Sequence, residues 1–300
     1  MVKSNPVYRR EMTVRARSFR MPFIILTFNG ILAAAALLNM YSAVAQVRIS
    51  ASIQYTSFLQ LYAFVAILEF LLLMFIMPAL TTGSISGERE RRTLELLFTT
   101  KMTPGDIVMG KLFSALSQLL VLVVSSFPML LLTFVYGSMD FMDLGLLFLC
   151  FVVTAVFSGG IGIFASSLMR RSTFSNVCTY GLLLLSVAGT YMVNLFLYNM
   201  SQMQINNMVF RLGESRPSAN SGAAVYLLLI NPMVTFAEIL GNQVTGGAEW
   251  FSVGRFLEGS PGGFIASHWV LVSLLVQSVL AVCFVRGAIY FLDPERNEKK

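Results

Sequence analysis

The sequence is poor in charge, histidine and cysteine. Charged residues make up 12% of its 300 residues, which is about half the share found in soluble domains. This number of charges is too small to cover the water-facing surface of a soluble protein of this size. A soluble enzyme and a disordered chain are therefore both excluded. The chain has one His, and its three Cys all lie inside apolar runs. This pattern excludes a secreted disulfide framework and a cysteine-based metal cluster.

The sequence has long apolar stretches instead. Hydrophobic residues make up 56% of the chain, and the mean hydropathy is +0.73. A bilayer core about 30 Å thick requires about 20 apolar residues in a helix. Six runs reach that length: 22–44, 59–80, 112–136, 144–168, 174–198 and 265–285. The sequence therefore predicts an all-α integral membrane protein with a single transmembrane domain over residues 1–300, in which spans one to five occupy 22–198.

The positions of the basic residues predict how these spans are oriented. Of the 21 Lys and Arg residues, 17 fall in segments that lie on one side of a six-span chain. These segments are 1–21, 81–111, 169–173 and 286–300. Because cytoplasmic segments are enriched in Lys and Arg, both termini are predicted to be cytoplasmic. The net charge of +6 then reflects topology and attraction to the anionic lipid bilayer, and no nucleic-acid partner is expected.

One further apolar stretch, 223–240, lies within the long outer segment 199–264 that precedes the last span. It contains Asn231 followed by Pro232, a pair that breaks a helix. We expect two half-length helices that form a re-entrant hairpin in the outer leaflet. The alternative is a seventh full span, which would place the basic tail 286–300 outside the cell.

The N-terminal tail, 1–21, carries the signals of a helix. Asn5 followed by Pro6 is a strong helix start. One stripe of the helix that would follow is formed by Tyr8, Met12, Ala16 and Phe19. The tail is therefore predicted to be an amphipathic elbow helix on the inner surface of the membrane. The alternative is a simple cluster of positive charge that only sets topology.

The loop between the second and third spans is predicted to contain a cytoplasmic helix over about 88–100. Glu88 and Arg92 are four residues apart, as are Arg91 and Glu95. Residues at this spacing lie one turn apart on a helix, so both pairs can form ion pairs there. A solvent-exposed loop helix without a partner is the alternative interpretation.

Apolar residues and a second helix start complete this loop. Leu94, Leu97 and Phe98 form a compact apolar surface on one side of the predicted helix. Further on, Thr103 and Asp106 are spaced as in a capping box, with Pro at the first helical position between them. The third span is therefore predicted to begin with its own helix start.

The run GERERRTLELLFTTKMTPGDIVMGK, residues 87–111, resembles the cytoplasmic loop of ATP-binding-cassette (ABC) exporter permeases of the type-two family. The usual pattern there is close to G-E-R-E-x-G-T-L-E-L-L, followed by P-x-x-I-x-x-G-K. The opening NPVYRREM, residues 5–12, resembles the elbow of that family. One departure is Arg92, which stands where a Gly is usual.

The resemblance implies that helix 88–100 is a coupling helix, which would sit in a groove of a separate ATPase subunit. The residues that it assigns to this contact are Glu88, Arg89, Glu90, Thr93, Leu94, Glu95, Leu97 and Phe98. Their carboxylates could pair with basic groove residues while the leucines pack. A charged contact of this kind suits the selection of a partner.

The resemblance also implies the function. The chain would be the permease subunit of an ATP-driven exporter in the bacterial cytoplasmic membrane, and its cargo is not identified. Six spans are half the usual complement, which implies a second permease protomer, either an identical chain or a paralogue, together with two copies of the ATPase.

The chain itself is not expected to bind ATP or to be an enzyme. Residues 105–111 match the first seven positions of a P-loop, but Leu112 stands where a hydroxyl should bind magnesium. ATP and magnesium are therefore expected on the partner ATPase, and this chain is expected to carry no catalytic residue, metal or cofactor of its own.

Glu69 is the only acidic residue deep inside a predicted span. An ionisable group at such a depth costs about 2.5–3.5 kcal/mol on insertion scales and indicates a functional site, here part of a substrate path. A hydrogen-bonded structural role is the alternative. Two other functions remain open: an ATPase-coupled mechanotransmitting or assembly subunit without transport, and an ion-coupled secondary transporter that uses Glu69.

Overall fold

The computed structural model describes residues 5–50, 56–99, 102–137, 141–212, 219–244, 253–257 and 264–293. The ends of both predicted tails and parts of the outer segment 199–264 lie outside these ranges. The described residues form helices and turns and contain no strand, as predicted for an all-α protein.

The helices of the described residues follow one another with short connections. In chain order the α-helices are α1 (Pro6–Ala16), α2 (Arg20–Ser50), α3 (Thr56–Thr81), α4 (Ser86–Glu90), α5 (Leu94–Phe98), α6 (Pro104–Gly137), α7 (Phe141–Leu168), α8 (Ser172–Leu184), α9 (Thr190–Leu212), α10 (Pro232–Gln243), α11 (Gly254–Leu257), α12 (Phe264–Ser267) and α13 (Trp269–Leu292). A π-helical turn, Leu185–Gly189, joins α8 to α9. A 3₁₀ helix, Gly222–Ile230, precedes α10.

Six segments of the described chain are long and apolar enough to cross a membrane. They are Met21–Ser42, Leu61–Glu90, Pro104–Pro128, Phe141–Leu168, Ser172–Asn207 and Trp269–Leu292. Each overlaps one of the six predicted runs, so the prediction of six helical spans is confirmed. Helices form here because the bilayer core offers no water to the backbone, and a helix satisfies its N–H and C=O groups internally.

The central helix of the bundle is α7, which packs against α3, α6, α8 and α13. Glycines on α7 allow a close approach to α3. A Cβ at Gly159 would collide with Met77, and one at Gly162 would collide with Thr81. Small residues at a helix contact let two backbones approach closely in a membrane, where packing drives helix association.

The 3₁₀ helix and α10, which we call the bent pair, meet at an angle of 94°. The chain breaks at Asn231, where the sequence predicts two half-length helices. Pro232 is the first residue of α10 and Asn231 is its N-cap, so the same two residues that end the first helix begin the second. The angle fits either a broken span or a re-entrant segment.

The N-terminal helix α1 begins where the sequence predicts, because the Asn5 Oδ1 accepts a hydrogen bond from the Val7 N–H at 3.0 Å. The predicted apolar stripe differs from the structure. Helix α1 ends at Ala16, so Phe19 lies beyond it and is 88% exposed. The buried position of α1 is instead Val7, which packs into the main core.

The single helix predicted over 88–100 is wrong. The structure has two short helices there, α4 and α5, and residues 91–93 interrupt them. The physical reason is Arg92, whose φ of 56° lies in the left-handed region and stops the right-handed helix. Residue 100 lies outside the described ranges.

The predicted start of the third span is confirmed. Asp106 Oδ2 accepts hydrogen bonds from the Thr103 N–H at 3.2 Å and the Thr103 hydroxyl at 2.7 Å, and the Asp106 N–H donates to Thr103 Oγ1 at 3.2 Å. This reciprocal pattern satisfies N–H groups that the first turn of α6 cannot pair internally.

Candidate functional site

The loop of α4 and α5 lies at one end of the bundle, beside α1, the start of α6 and the connection between α7 and α8. We call this region the loop end. Its central cation is Lys111 on α6, which is 3% exposed. Its ammonium donates to Glu88 Oε1 at 2.8 Å, to the Ser84 carbonyl at 2.7 Å and to Glu11 Oε1 at 3.3 Å. One buried side chain therefore connects α6 to α4 and to α1.

Gly110, which precedes this lysine, creates the space for α1. A Cβ at Gly110 would lie 2.9 Å from the Val7 Cβ, closer than non-bonded carbons approach each other. The contact is extended by Tyr8, whose hydroxyl is 3.1 Å from the Ser117 Oγ on α6. The Gly110-Lys111 pair, which the sequence shows as a false P-loop and as the end of the family pattern, therefore forms the docking point of α1.

Arg89 fastens α4 to the end of α7. Its two terminal nitrogens donate to the carbonyls of Met169 and Ser167, each at 3.1 Å. The last carbonyls of a helix have no partner within the helix and carry its negative dipole end, so a guanidinium there satisfies and stabilises them. The Ile85 and Ser86 N–H groups add bonds to the Ser166 Oγ at 3.0 Å and 2.9 Å.

Glu90 makes the complementary contact with the start of α8. Its carboxylate accepts hydrogen bonds from the Ser172 N–H and from the Ser172 hydroxyl, both at 2.9 Å. The first N–H groups of a helix carry the positive dipole end, where a carboxylate is favourable. Adjacent side chains of opposite charge thus fix α4 to both helices of the α7–α8 connection.

The remaining residues of the predicted coupling site divide into inward and outward groups. Leu94 is 7% exposed and Leu97 is partly buried, and both pack against the main apolar core of this chain. Thr93 and Glu95 are exposed at the surface of the loop. Phe98 is the last residue of α5. Of the eight residues, Glu90, Thr93 and Glu95 are exposed at the surface of the loop.

The sequence predicts that Glu88 pairs with Arg92, whereas in the structure Glu88 pairs with Lys111. Helix α4 ends at Glu90, so the turn that would bring Arg92 alongside Glu88 does not form. Sequence analysis missed Lys111 as a site residue. The signals in the sequence were a lysine inside the helical run that becomes α6 and its place at the end of the family pattern.

Glu69 lies fully buried on α3 and is not open to a pathway in this structure. Its Oε1 accepts a hydrogen bond from the Ser126 hydroxyl on α6 at 2.5 Å. Its Oε2 has no hydrogen-bond partner among the described residues. The next residue, Phe70, stacks on Phe236 of the bent pair with ring centroids 4.2 Å apart, so α3 meets α10 through an aromatic contact one residue away from Glu69.

Asn231 connects the bent pair to the π-helical turn of the fifth span. Its Oδ1 accepts from the Met233 and Val234 N–H groups at 3.0 Å and 3.3 Å. Its Nδ2 donates to the Val187 carbonyl at 2.8 Å and to the Thr190 Oγ1 at 2.9 Å. A single side chain therefore caps α10 and satisfies a carbonyl of the π-helical turn.

Helix α13 holds the bent pair from another side. The Ser273 hydroxyl donates to the Leu229 carbonyl at 2.9 Å, and the Gln277 amide donates to the Thr235 Oγ1 at 2.8 Å. These three polar side chains are all 0% exposed. Their signal in the sequence was weak, because isolated Ser, Thr and Gln residues are common in apolar helices.

The described residues contain no group of three or more His, Cys, Asp or Glu side chains placed to hold a metal ion. Comparison with curated proteins gives no significant match. A family model described as ABC-2 family transporter protein matches residues 6–294, which is nearly the whole chain. The match includes α1, the loop end and the bent pair. The chain therefore belongs to the ABC-2 transporter family and is a membrane permease component of an ABC transporter.

Proposed function

We propose that the chain is the permease subunit of an ATP-driven exporter, which couples ATP hydrolysis by a separate ATPase to export across the bacterial cytoplasmic membrane. The observation that carries this proposal is the bracing of the loop end. Arg89, Glu90 and Lys111 fasten the loop to four other elements, while Glu95 stays exposed. A loop that only connected two spans would need no such bracing.

The bracing supports a mechanical role for the loop. A load applied to α5 by a partner is carried through Arg89 into α7 and through Glu90 into α8. The same load reaches α6 and α1 through Lys111. Because packed and hydrogen-bonded elements move as units rather than deforming continuously, the loop and these four helices shift together.

The distribution of positive charge supports a cytoplasmic position for the loop end. Arg91 and Arg92 in the loop and Arg171 at the α7–α8 connection are exposed there. Cytoplasmic segments of membrane proteins are the ones enriched in such residues. The partner ATPase, which binds ATP and magnesium, would then meet exposed Glu95 from the cytoplasm.

The exposure of two spans supports assembly with a second permease protomer, identical or paralogous, and with two ATPases. Only 11% of the window in the first span and 17% of that in the fifth are buried within the chain. These faces carry large apolar side chains such as Leu38 and Phe196. Lipid and a second protomer are the two environments that suit them.

Glu69 and the bent pair are proposed to form the outer part of the substrate path. The described start and end of the outer segment favour a re-entrant pair, because Tyr198 of α9 and Trp269 of α13 belong to the same apolar cluster. The path would open where Phe236 separates from Phe70, which would give a cargo access to the Glu69 region.

The test is reconstitution with the ABC ATPase encoded nearest to the gene of this chain. The complex is placed in lipid nanodiscs and ATP hydrolysis is measured with and without the permease. We expect the wild type to stimulate hydrolysis. Glu95→Lys should reduce the stimulation at least tenfold without loss of folding, because it reverses an exposed charge at the proposed contact. Arg10→Glu is the matched control, because it reverses an exposed charge on α1 and should leave the stimulation intact.

Two outcomes would contradict this proposal. A wild-type chain that neither binds nor stimulates the ATPase would exclude ATPase coupling and would favour the ion-coupled secondary transporter. Full stimulation by Glu95→Lys would remove the loop from the contact. Transport itself is measured in inverted vesicles given ATP and a cell extract, with mass spectrometry of the vesicle contents. Stimulation without any accumulated compound would favour a mechanotransmitting or assembly subunit, and loss of accumulation in Glu69→Gln alone would place Glu69 on the path.

A further inference from the structure

We propose that Asn231 is a positioning residue for transport, because its side-chain amide ties the bent pair to the π-helical turn of the fifth span. Movement of that span would then open or close the bent pair. This inference rests on the proposed function, since it assumes that a partner ATPase moves the loop end. Its local part, the holding of the bent pair by Asn231, can be measured on the permease alone.

The π-helical turn makes this contact possible. A π-helical turn inserts one extra residue into a helical turn, and such turns are rare because the hydrogen-bond register of the helix is disturbed there. In this chain, side chains also donate to two carbonyls of the turn. The Thr190 hydroxyl donates to the Ser186 carbonyl at 2.7 Å, and the Asn231 amide donates to the Val187 carbonyl at 2.8 Å.

A continuous helix connects this turn to the loop end. Helix α8 has 13 residues, so it is about 20 Å long. Glu90 holds its first residue, Ser172, through two hydrogen bonds. The π-helical turn follows its last residue directly. A displacement of the loop end therefore reaches the turn through one helix without a flexible connection.

The geometry makes the Asn231 contact sensitive to small movements. A shift of α8 by one residue along its axis is about 1.5 Å. Such a shift directed away from Asn231 would lengthen the 2.8 Å contact between Asn231 Nδ2 and the Val187 carbonyl beyond hydrogen-bond range. The carbonyl of Leu229 stays bonded to Ser273 on α13 during that shift. The bent pair is thus held by the Asn231 contact, which breaks in such a shift, and by the Ser273 contact, which remains.

Asn231→Ser separates the two roles of this side chain. Serine is as good an N-cap as asparagine, so the start of α10 is preserved. Its hydroxyl is too short to reach the Val187 carbonyl, so the link to the π-helical turn is lost. Ser273→Ala is the matched control, because it removes a hydrogen bond from the other side of the bent pair and leaves the Asn231 contacts in place.

The readout is hydrogen exchange of amides 222–230, measured on the permease alone and on the permease–ATPase complex with and without a non-hydrolysable ATP analogue. In the wild-type complex we expect the nucleotide to change this exchange several-fold. Asn231→Ser should raise basal exchange about tenfold in the permease alone and abolish the nucleotide response, while stimulation of ATP hydrolysis is kept. Ser273→Ala should raise basal exchange and keep the nucleotide response.

Each contrary result has a distinct meaning. Wild-type exchange and a wild-type nucleotide response in Asn231→Ser would overturn the inference, as would loss of the response in Ser273→Ala alone. A wild-type chain that does not stimulate the ATPase would instead contradict the proposed function. In that case, unchanged basal exchange in Asn231→Ser would overturn the local holding role as well.

Discussion

Arg92 is the residue whose conformation decides the shape of the loop. Its φ of 56° places a residue with a Cβ in the left-handed region, which costs a residue other than glycine about 1–2 kcal/mol. The surrounding contacts impose this conformation, because Glu90 is fixed to Ser172 on one side and Leu94 is buried on the other. The family pattern places Gly here, and Gly adopts this conformation without strain.

Arg92→Gly is therefore expected to stabilise the protein. The relief of strain, about 1–2 kcal/mol, exceeds the extra chain entropy that glycine loses on folding, about 0.5–1 kcal/mol. The net gain should be at most about 1.5 kcal/mol in the free energy of unfolding, measured by thermal unfolding in detergent. Arg92→Ala is the control, since it removes the same charge and keeps the strain. Equal stabilisation by both variants would attribute the effect to charge instead.

At the scale of elements, the loop end is a junction of six helices with Lys111 at its centre. Its ammonium is almost completely buried, while the side chains of its two carboxylate partners, Glu11 and Glu88, are 20% and 28% exposed. Loss of one partner from a buried ion pair leaves an uncompensated charge and costs about 3–5 kcal/mol. Partial exposure of the carboxylates lowers the cost here.

Lys111→Met should destabilise the protein by about 2 kcal/mol, because it removes the cation between two carboxylates. The double variant Lys111→Met with Glu88→Gln should recover part of that loss, since it also removes one of the two negative charges. Thermal unfolding of the single and double variants measures this coupling. Arg10→Met, at an exposed position of α1, should change stability little. Additive losses in the double variant would mean that Glu88 and Lys111 do not stabilise each other.

The junction shows which features of the elements can be read from the sequence. The caps at Asn5 and Thr103 were predicted because capping residues act within three positions of each other in the chain. The break between α4 and α5 was not, because the local charge spacing favours one continuous helix. What interrupts that helix is the fastening of Arg89 and Glu90 to a connection about 80 residues further along the chain.

The same limit applies to the buried polar contacts. Glu11 and Lys111 are separated by 100 positions, and Asn231 and Val187 by 44. The length of an apolar run predicts that a helix spans the membrane, but it does not predict which polar side chain meets which carbonyl in the bundle. Glu69 was recognised because a carboxyl inside an apolar run is conspicuous, whereas its partner Ser126 resembles any other serine in a span.

At the scale of the whole molecule, the contacts at the helix ends support six spans rather than seven. Near the end of α13, Phe291 lies 6.0 Å from Phe164 of α7, measured between ring centroids. Helix α13 therefore ends at the loop end, where α7 also ends. Because Tyr198 of α9 and Trp269 of α13 share one cluster, the outer segment leaves and re-enters the bundle on the same side. A bent pair that starts and finishes on one side fits the proposed re-entrant hairpin.

This topology predicts where an impermeant thiol reagent reaches the chain in intact cells. Gly83→Cys places a thiol at the loop end, where an added Cβ meets nothing within 4 Å. Asn207→Cys places one at an exposed position of α9, at the far end of the segment Ser172–Asn207. Both are made after Cys178 and Cys283 are replaced by Ala, because neither of these residues is fully buried. Asn207→Cys should be labelled in intact cells and Gly83→Cys only after the cells are permeabilised. Labelling of Gly83→Cys in intact cells would reverse the orientation and would place the loop of α4 and α5 on the side that a cytoplasmic ATPase cannot reach.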